Sequence, residues 1–155
     1  MELADLNAVL GEVVAAESGY EREIETALNP GEIMLRMHPL SIKRAVANMV
    51  VNAARYGNGW IKVSSGAEPH RAWFQVEDDG PGIKPEQRKH LFQPFVRGDS
   101  ARSTSGTGLG LAIVQRIVDN HNGLLELGTS ERGGLSIRAW LPVPLSRSAG
   151  QVRES

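Results

Sequence analysis

The stretch "GTGLGLAIVQRIV", residues 106–118, alternates glycine with small or apolar residues and then runs straight into a helical pattern. Glycines ahead of a helix serve two purposes. They can cradle a phosphate with backbone N–H groups at a helix N-terminus, or they can simply let the chain turn into the helix. A Walker loop needs a Gly-Lys-Ser/Thr triplet after its glycines, and this chain has none. A dinucleotide fingerprint needs G-x-G-x-x-G directly after a strand, but Leu111 stands where the last glycine belongs, and a polar loop precedes Gly106. Both familiar nucleotide folds are therefore disfavoured. If the loop holds a polyphosphate, the neutralising charge must come from Mg²⁺ and from flanking arginines, with Arg97 and Arg102 as candidates.

The rest of the chain sets the context. Its 155 residues suit one domain with a real core. Hydrophobic residues make up 41% and charged residues 23%, the balance of a globular chain. A net charge of -1, from 17 basic and 18 acidic residues, gives no electrostatic case for nucleic acid. With 0 cysteines, disulfides and thiolate zinc sites are excluded. No apolar run approaches the roughly 18 residues of a membrane span. The acidic N-terminus "MELADLNAVLGEVV" is unlike a secretory signal.

Apolar periodicity predicts a helix over 5–17, capped by Asp5. Strands follow at 20–28 and 32–37, joined by the turn "NPGE". A long helix runs from Pro39 to Gly57. Strands at 60–66 and 71–79 form an antiparallel pair, a short helix spans 84–92, and 93–107 is a mobile loop. A second long helix covers 109–121. A hairpin, 123–130 and 134–142 around "ERGG", closes the domain, and residues 143–155 form a disordered tail. Mixed helices and hairpins, without regular βαβ units, indicate an α+β fold: a mostly antiparallel sheet with helices on one face. Trp60, Trp73 and Trp140 read as core or sheet-face residues.

Three further stretches invite chemistry. On the long helix, Ile42, Val46, Met49 and Ala53 form a stripe within roughly 40°, with Val50 at its edge. Asn48 and Asn52 lie about 80–120° to its other side, one turn apart, near Arg55 and with Tyr56 on the boundary. This flank is either a solvated face or a binding site, since an asparagine carbonyl can ligate a hard cation such as Mg²⁺. In "VEDDGPGI", residues 76–83, Asp78 can accept hydrogen bonds, and Gly80 and Gly82 allow close backbone approach. A buried carboxylate facing an exocyclic amine would select adenine, whereas the bland reading is an acidic turn. Asp78 and Asp79 are adjacent on a strand, so their side chains diverge and do not form a glycosidase pair. In "LFQPFVRGD", residues 91–99, Phe92 and Phe95 either anchor a movable lid or pack in the core.

Taken in order, "NMVVNAARYG", "DDGPGI", "FQPFVRGD" and "GTGLGL" resemble the N, G1, F and G2 boxes of the sensor histidine kinase ATP-binding domain, in the Bergerat-fold GHKL superfamily. The resemblance covers residues 1–142. It implies a two-layer α/β sandwich with an ATP lid, binding ATP and Mg²⁺. Asn52 would be the magnesium ligand, with Asn48 one turn earlier, Arg55 at phosphate and Tyr56 beside adenine. Asp78 would accept from the adenine amine, with Gly80, Gly82 and Ile83 shaping that wall. Gly106, Thr107, Gly108, Leu109, Gly110 and Leu111 would form the phosphate loop, with Arg97 and Gly98 in the lid.

Hydrolytic relatives of the gyrase and MutL type carry a glutamate as general base where this chain has Asn48. An amide cannot take a proton from water at neutral pH, so slow ATP hydrolysis is expected. The family's phosphoacceptor box, H-E-[ILV]-[RK]-T-P, matches none of "MHPL", "EPHRA", "RKHLF" and "DNHNG". The resemblance thus implies a catalytic domain that donates the γ-phosphate of ATP to a histidine on a separate dimerisation and phosphotransfer domain. A response regulator of the OmpR type would lie downstream. The setting would be the cytoplasmic portion of a bacterial inner-membrane sensor, with no nucleic-acid or membrane contact by this chain. The alternatives are a nucleotide-responsive binding module without phosphotransfer and a gyrase-type ATPase.

Overall fold

The computed structural model describes residues 1–19, 22–82 and 111–144. The expected helix at 84–92, the loop at 93–107 and the tail beyond residue 144 lie outside them.

Two helices match the apolar periodicity closely. Helix α1 spans Leu6–Glu17, and Asp5 caps it: its carboxylate accepts from the Asn7 N–H at 3.1 Å. The cap answers one of the unpaired donors of the first turn. Helix α2 spans Pro39–Tyr56, with proline in its first turn and Arg55 in its last. Its stripe Ile42, Val46, Met49, Val50 and Ala53 is buried, as the spacing requires. A third helix, α3, is described over 111–120; it buries Leu111, Val114, Ile117 and Val118.

Seven strands occur among the described residues: β1 (Glu2–Asp5), β2 (Ile24–Ala27), β3 (Met34–Met37), β4 (Ile61–Ala67), β5 (Arg71–Asp78), β6 (Leu124–Thr129) and β7 (Leu135–Pro142). Five form one sheet in the order β2-β4-β5-β7-β6. All of its pairings are antiparallel except β2 with β4. The register aligns Val63, Val76 and Ile137 across β4, β5 and β7, and these three side chains join Phe74, Ala139 and the helices in one core cluster. The α+β sandwich expected from the sequence is therefore the fold, with the three helices on one face of the sheet.

Two elements depart from expectation. The strands either side of "NPGE" are shorter than expected and belong to different sheets. β2 adds parallel to β4, while β3 pairs antiparallel with β1, a strand that local pattern does not reveal. Side chains intercept the backbone groups a hairpin would have used. The Asn29 N–H donates to Ser65 Oγ at 2.9 Å, the Ile33 N–H to Asp5 Oδ1 at 2.9 Å, and Asn7 Nδ2 to the Asn29 and Gly31 carbonyls. Strand β7 ends at Pro142, and the Val143 N–H still donates to the His70 carbonyl at 2.9 Å.

The far face of the sheet is covered by its own side chains. The guanidinium of Arg71 lies 3.6 Å above the Trp140 ring and that of Arg138 lies 3.8 Å above Trp73. This layer explains why Trp140 is buried on the side away from the helices.

Candidate functional site

The site forms where the C-terminal end of α2 meets the C-terminal end of β5. Asp78 is the last residue of β5, and the alternation of that strand turns its side chain toward the helices, with Phe74 and Val76. Only 3% of it is exposed. Its Oδ1 accepts from the Gly80 N–H at 2.9 Å and from the Leu135 N–H at 3.1 Å. Burial pushes the Asp78 carboxyl above the usual carboxylate range; the two N–H bonds oppose that, and the neighbouring Asp79 adds to it.

Asp79, one residue past the end of β5, turns to other partners. Its Oδ1 accepts from the Asn58 N–H at 2.7 Å and the Trp60 N–H at 3.2 Å, closing the turn between α2 and β4. Chiefly the Asn58 bond holds its carboxyl below the usual range. Two adjacent aspartates therefore have separate duties, one facing the helix layer and one fastening a turn.

Gly80 makes the junction possible. A side-chain carbon there would fall 2.2 Å from the Tyr56 carbonyl oxygen. Only glycine lets the end of β5 approach the last turn of α2 so closely. Gly82 adopts φ 78°, a conformation that favours glycine. The backbone of Tyr56 is thus brought beside Asp78 and Gly80.

One turn earlier on α2 lies Asn52, 7% exposed. Its Oδ1 is buried and accepts no hydrogen bond among the described residues. Such an atom carries a desolvation cost of about 1–3 kcal/mol unless something binds it. A carbonyl oxygen is the donor type that Mg²⁺ takes, alongside water and substrate phosphates. The residue thus fits the cation the sequence suggested. No cluster of three or more His, Cys, Asp or Glu side chains capable of holding a metal exists among the described residues. Asn48, one turn further back, is half-buried, and Arg55 and Tyr56 are exposed.

Leu111 is fully buried in the core cluster, so its side chain packs and only its backbone remains for a ligand. Ile83, Arg97, Gly98, Gly106, Thr107, Gly108, Leu109 and Gly110 lie outside the described residues. His38 and His121 are structural. The buried His121 ring has Nδ1 at 2.8 Å from the Ile117 carbonyl and accepts from the His38 N–H at Nε2, at 3.0 Å. Sequence reasoning missed Ser130 and Gly134, which back onto Asp78 from the β6–β7 turn. The signal available was the paired glycine in "ERGG", where one glycine suffices for a turn.

Residues 37–145 match the family described as histidine kinase-, DNA gyrase B-, and HSP90-like ATPase. The histidine kinase domain of the E. coli osmosensor EnvZ, solved by NMR, superposes with a TM-score of 0.76 at 86% identity, over 100% of this chain and 96% of that one. The mycobacterial sensor histidine kinase MprB superposes with a TM-score of 0.71 at 31% identity, over 92% of this chain and 98% of the other. The sensor histidine kinase CpxA of Escherichia coli (strain K12) is 40% identical over 116 residues, 74% of this chain and 25% of that protein. The chain therefore spans about a quarter of the length of the curated relatives it matches first.

Proposed function

The chain belongs to the histidine kinase-, DNA gyrase B-, and HSP90-like ATPase family, as a catalytic domain of the sensor histidine kinase kind, and from that premise we propose how it works. It binds ATP with Mg²⁺ between α2, the end of β5 and the glycine loop ahead of α3. It then presents the γ-phosphate to a histidine on a separate dimerisation and phosphotransfer domain. The phosphoryl group passes on to a response regulator, and the similarity to the EnvZ kinase domain favours one of the OmpR type. The same similarity favours a cytoplasmic position within an inner-membrane osmosensor. Among the described residues no helix is long and apolar enough to cross a membrane.

The observation that carries the reading is the buried, unpartnered Oδ1 of Asn52. Asn52 would hold the magnesium ion. Asp78 would accept from the adenine amine, against the wall made by Gly80, Gly82 and Ile83, with Tyr56 packed beside the base. Arg55, Arg97 and the loop Gly106–Thr107–Gly108–Leu109–Gly110 would meet the phosphates, and Gly98 would belong to the lid. When bound, Mg²⁺ supplies charge neutralisation at the phosphates. Asn48 stands where a hydrolytic relative has its base, and its amide leaves water unactivated. That disfavours the gyrase-type reading.

Calorimetric titration of the chain with a non-hydrolysable ATP analogue, with and without Mg²⁺ and against GTP, tests this. Adenine-selective binding strengthened by Mg²⁺ is expected, and Asn52→Ala should abolish the magnesium dependence. Unchanged magnesium dependence in that variant would remove Asn52 from the site. Absence of label on the phosphoacceptor histidine, once that domain and radiolabelled ATP are supplied, would favour a binding module instead.

A further inference from the structure

The β6–β7 turn lies directly behind Asp78 and directs its polar groups there. The Ser130 side chain, 5% exposed, donates its hydroxyl proton to the Asp78 carbonyl at 2.6 Å. Ser130 Oγ itself accepts from the Gly134 N–H at 2.9 Å and the Arg132 N–H at 3.2 Å, which closes the turn on itself. The next N–H along, that of Leu135, reaches the Asp78 carboxylate. A side-chain carbon on Gly134 would fall 2.3 Å from the Asp78 carbonyl oxygen and 2.5 Å from its Oδ1, so the contact exists only because that residue is glycine. The turn is also fastened to the sheet. The Glu131 N–H donates to Glu77 Oε1 at 3.0 Å, and the Glu131 carboxylate pairs with Lys62 at 3.0 Å.

A carboxylate can present either oxygen by rotating about its terminal torsion, which is broad. Here both bonds it accepts among the described residues end on Oδ1. The rotation is therefore arrested, and Oδ2 accepts neither of these bonds. We propose that Ser130 and Gly134 are positioning residues for base recognition, holding the Asp78 carboxylate so that Oδ2 accepts from the amine of adenine. This rests on the assignment of Asp78 to the adenine amine made above. Ser130→Ala leaves the Gly134 and Arg132 N–H groups without their shared acceptor. The turn then relaxes, and the Leu135 N–H no longer fixes Oδ1. Selectivity for the amine should suffer while phosphate binding does not.

The test compares ATP with the triphosphate of a purine riboside lacking the 6-amino group, by calorimetry in the presence of Mg²⁺. In the wild-type chain ATP should bind more tightly. In Ser130→Ala the affinity for ATP should fall by about fivefold, the effect of losing one well-placed hydrogen bond. The amine-free analogue should bind as before. An equal loss for both nucleotides, or no loss for either, would overturn the positioning role. A wild-type chain that binds both nucleotides equally well would instead overturn the assignment of Asp78, which separates the two failures. Should the variant not fold, amide NMR signals of the wild-type chain decide. ATP should displace those of Gly80 and Leu135, and the amine-free analogue should not; equal displacement, or none by either, overturns the proposal.

Discussion

Asp78 and Asp79 show how far two identical neighbours can be driven apart. Asp78 is buried against the helix layer and its carboxyl is pushed up by that burial. Asp79 sits on the solvent side and is pulled down, first by the Asn58 N–H. Recognition of a base amine is strongest with the ionised carboxylate, because a charged acceptor makes the stronger bond. ATP affinity should therefore be complete near neutrality and fall on acidification through the raised value of Asp78. Asp78→Asn should bind ATP more weakly at pH 7 and lack that acid limb. Titrations at successive pH values measure it, and a limb unchanged in the variant would assign it to another group. The sign for stability is the reverse. Asp78 holds its proton more tightly folded than unfolded, so the cost of burying its charge is present above the raised value and relieved as pH falls through it. Asp79 behaves oppositely: its contribution is present above the unfolded value and lost as pH falls through the lowered one.

At the scale of elements, Asp5 links local and distant structure. Its Oδ1 caps α1 through the Asn7 N–H and also takes the Ile33 N–H from the approach to β3. The first bond is readable from sequence, because a cap acts over two residues. The second is not, because it crosses 28 positions. Asp5→Ala should cost about 2 kcal/mol, toward the upper end for a helix cap, since a second donor loses its partner as well. Urea unfolding with an unchanged slope would measure it. A loss of only a few tenths of a kcal/mol would mean that water replaces the carboxylate at both N–H groups. The same contrast accounts for the strands. The pair at 61–67 and 71–78 is joined by a short turn and was legible. The β1–β3 and β2–β4 pairings join distant segments and were not.

The whole molecule depends on one face of one sheet. Phe74, fully buried, stands on the central strand of that sheet, under the helices. Phe74→Ala should cost about 3–5 kcal/mol through lost transfer energy and the cavity left behind. Thermal unfolding would report it, and a loss below about 1 kcal/mol would mean that the helix layer collapses into the space. On the opposite face, Arg71 and Arg138 cover Trp140 and Trp73. Alternation along β5 and β7 assigns the tryptophans to that face, but their cover comes from arginines at neighbouring strand positions.

The sequence alone determined what is carried by short-range periodicity and by motif chemistry. The α1 cap, the buried stripe of α2, the different directions of Asp78 and Asp79 and the order of the four stretches that mark the family were all readable in it. Each depends on residues a few positions apart, whose relative directions are set by helix or strand geometry. Only the tertiary structure decided that β1 pairs with β3 and β2 with β4, that the Asn52 oxygen has no partner among the described residues, and that Ser130 and Gly134 brace Asp78 from 52 and 56 positions away. Those outcomes depend on loop closure and packing between segments distant in the chain, for which a local pattern carries no signal.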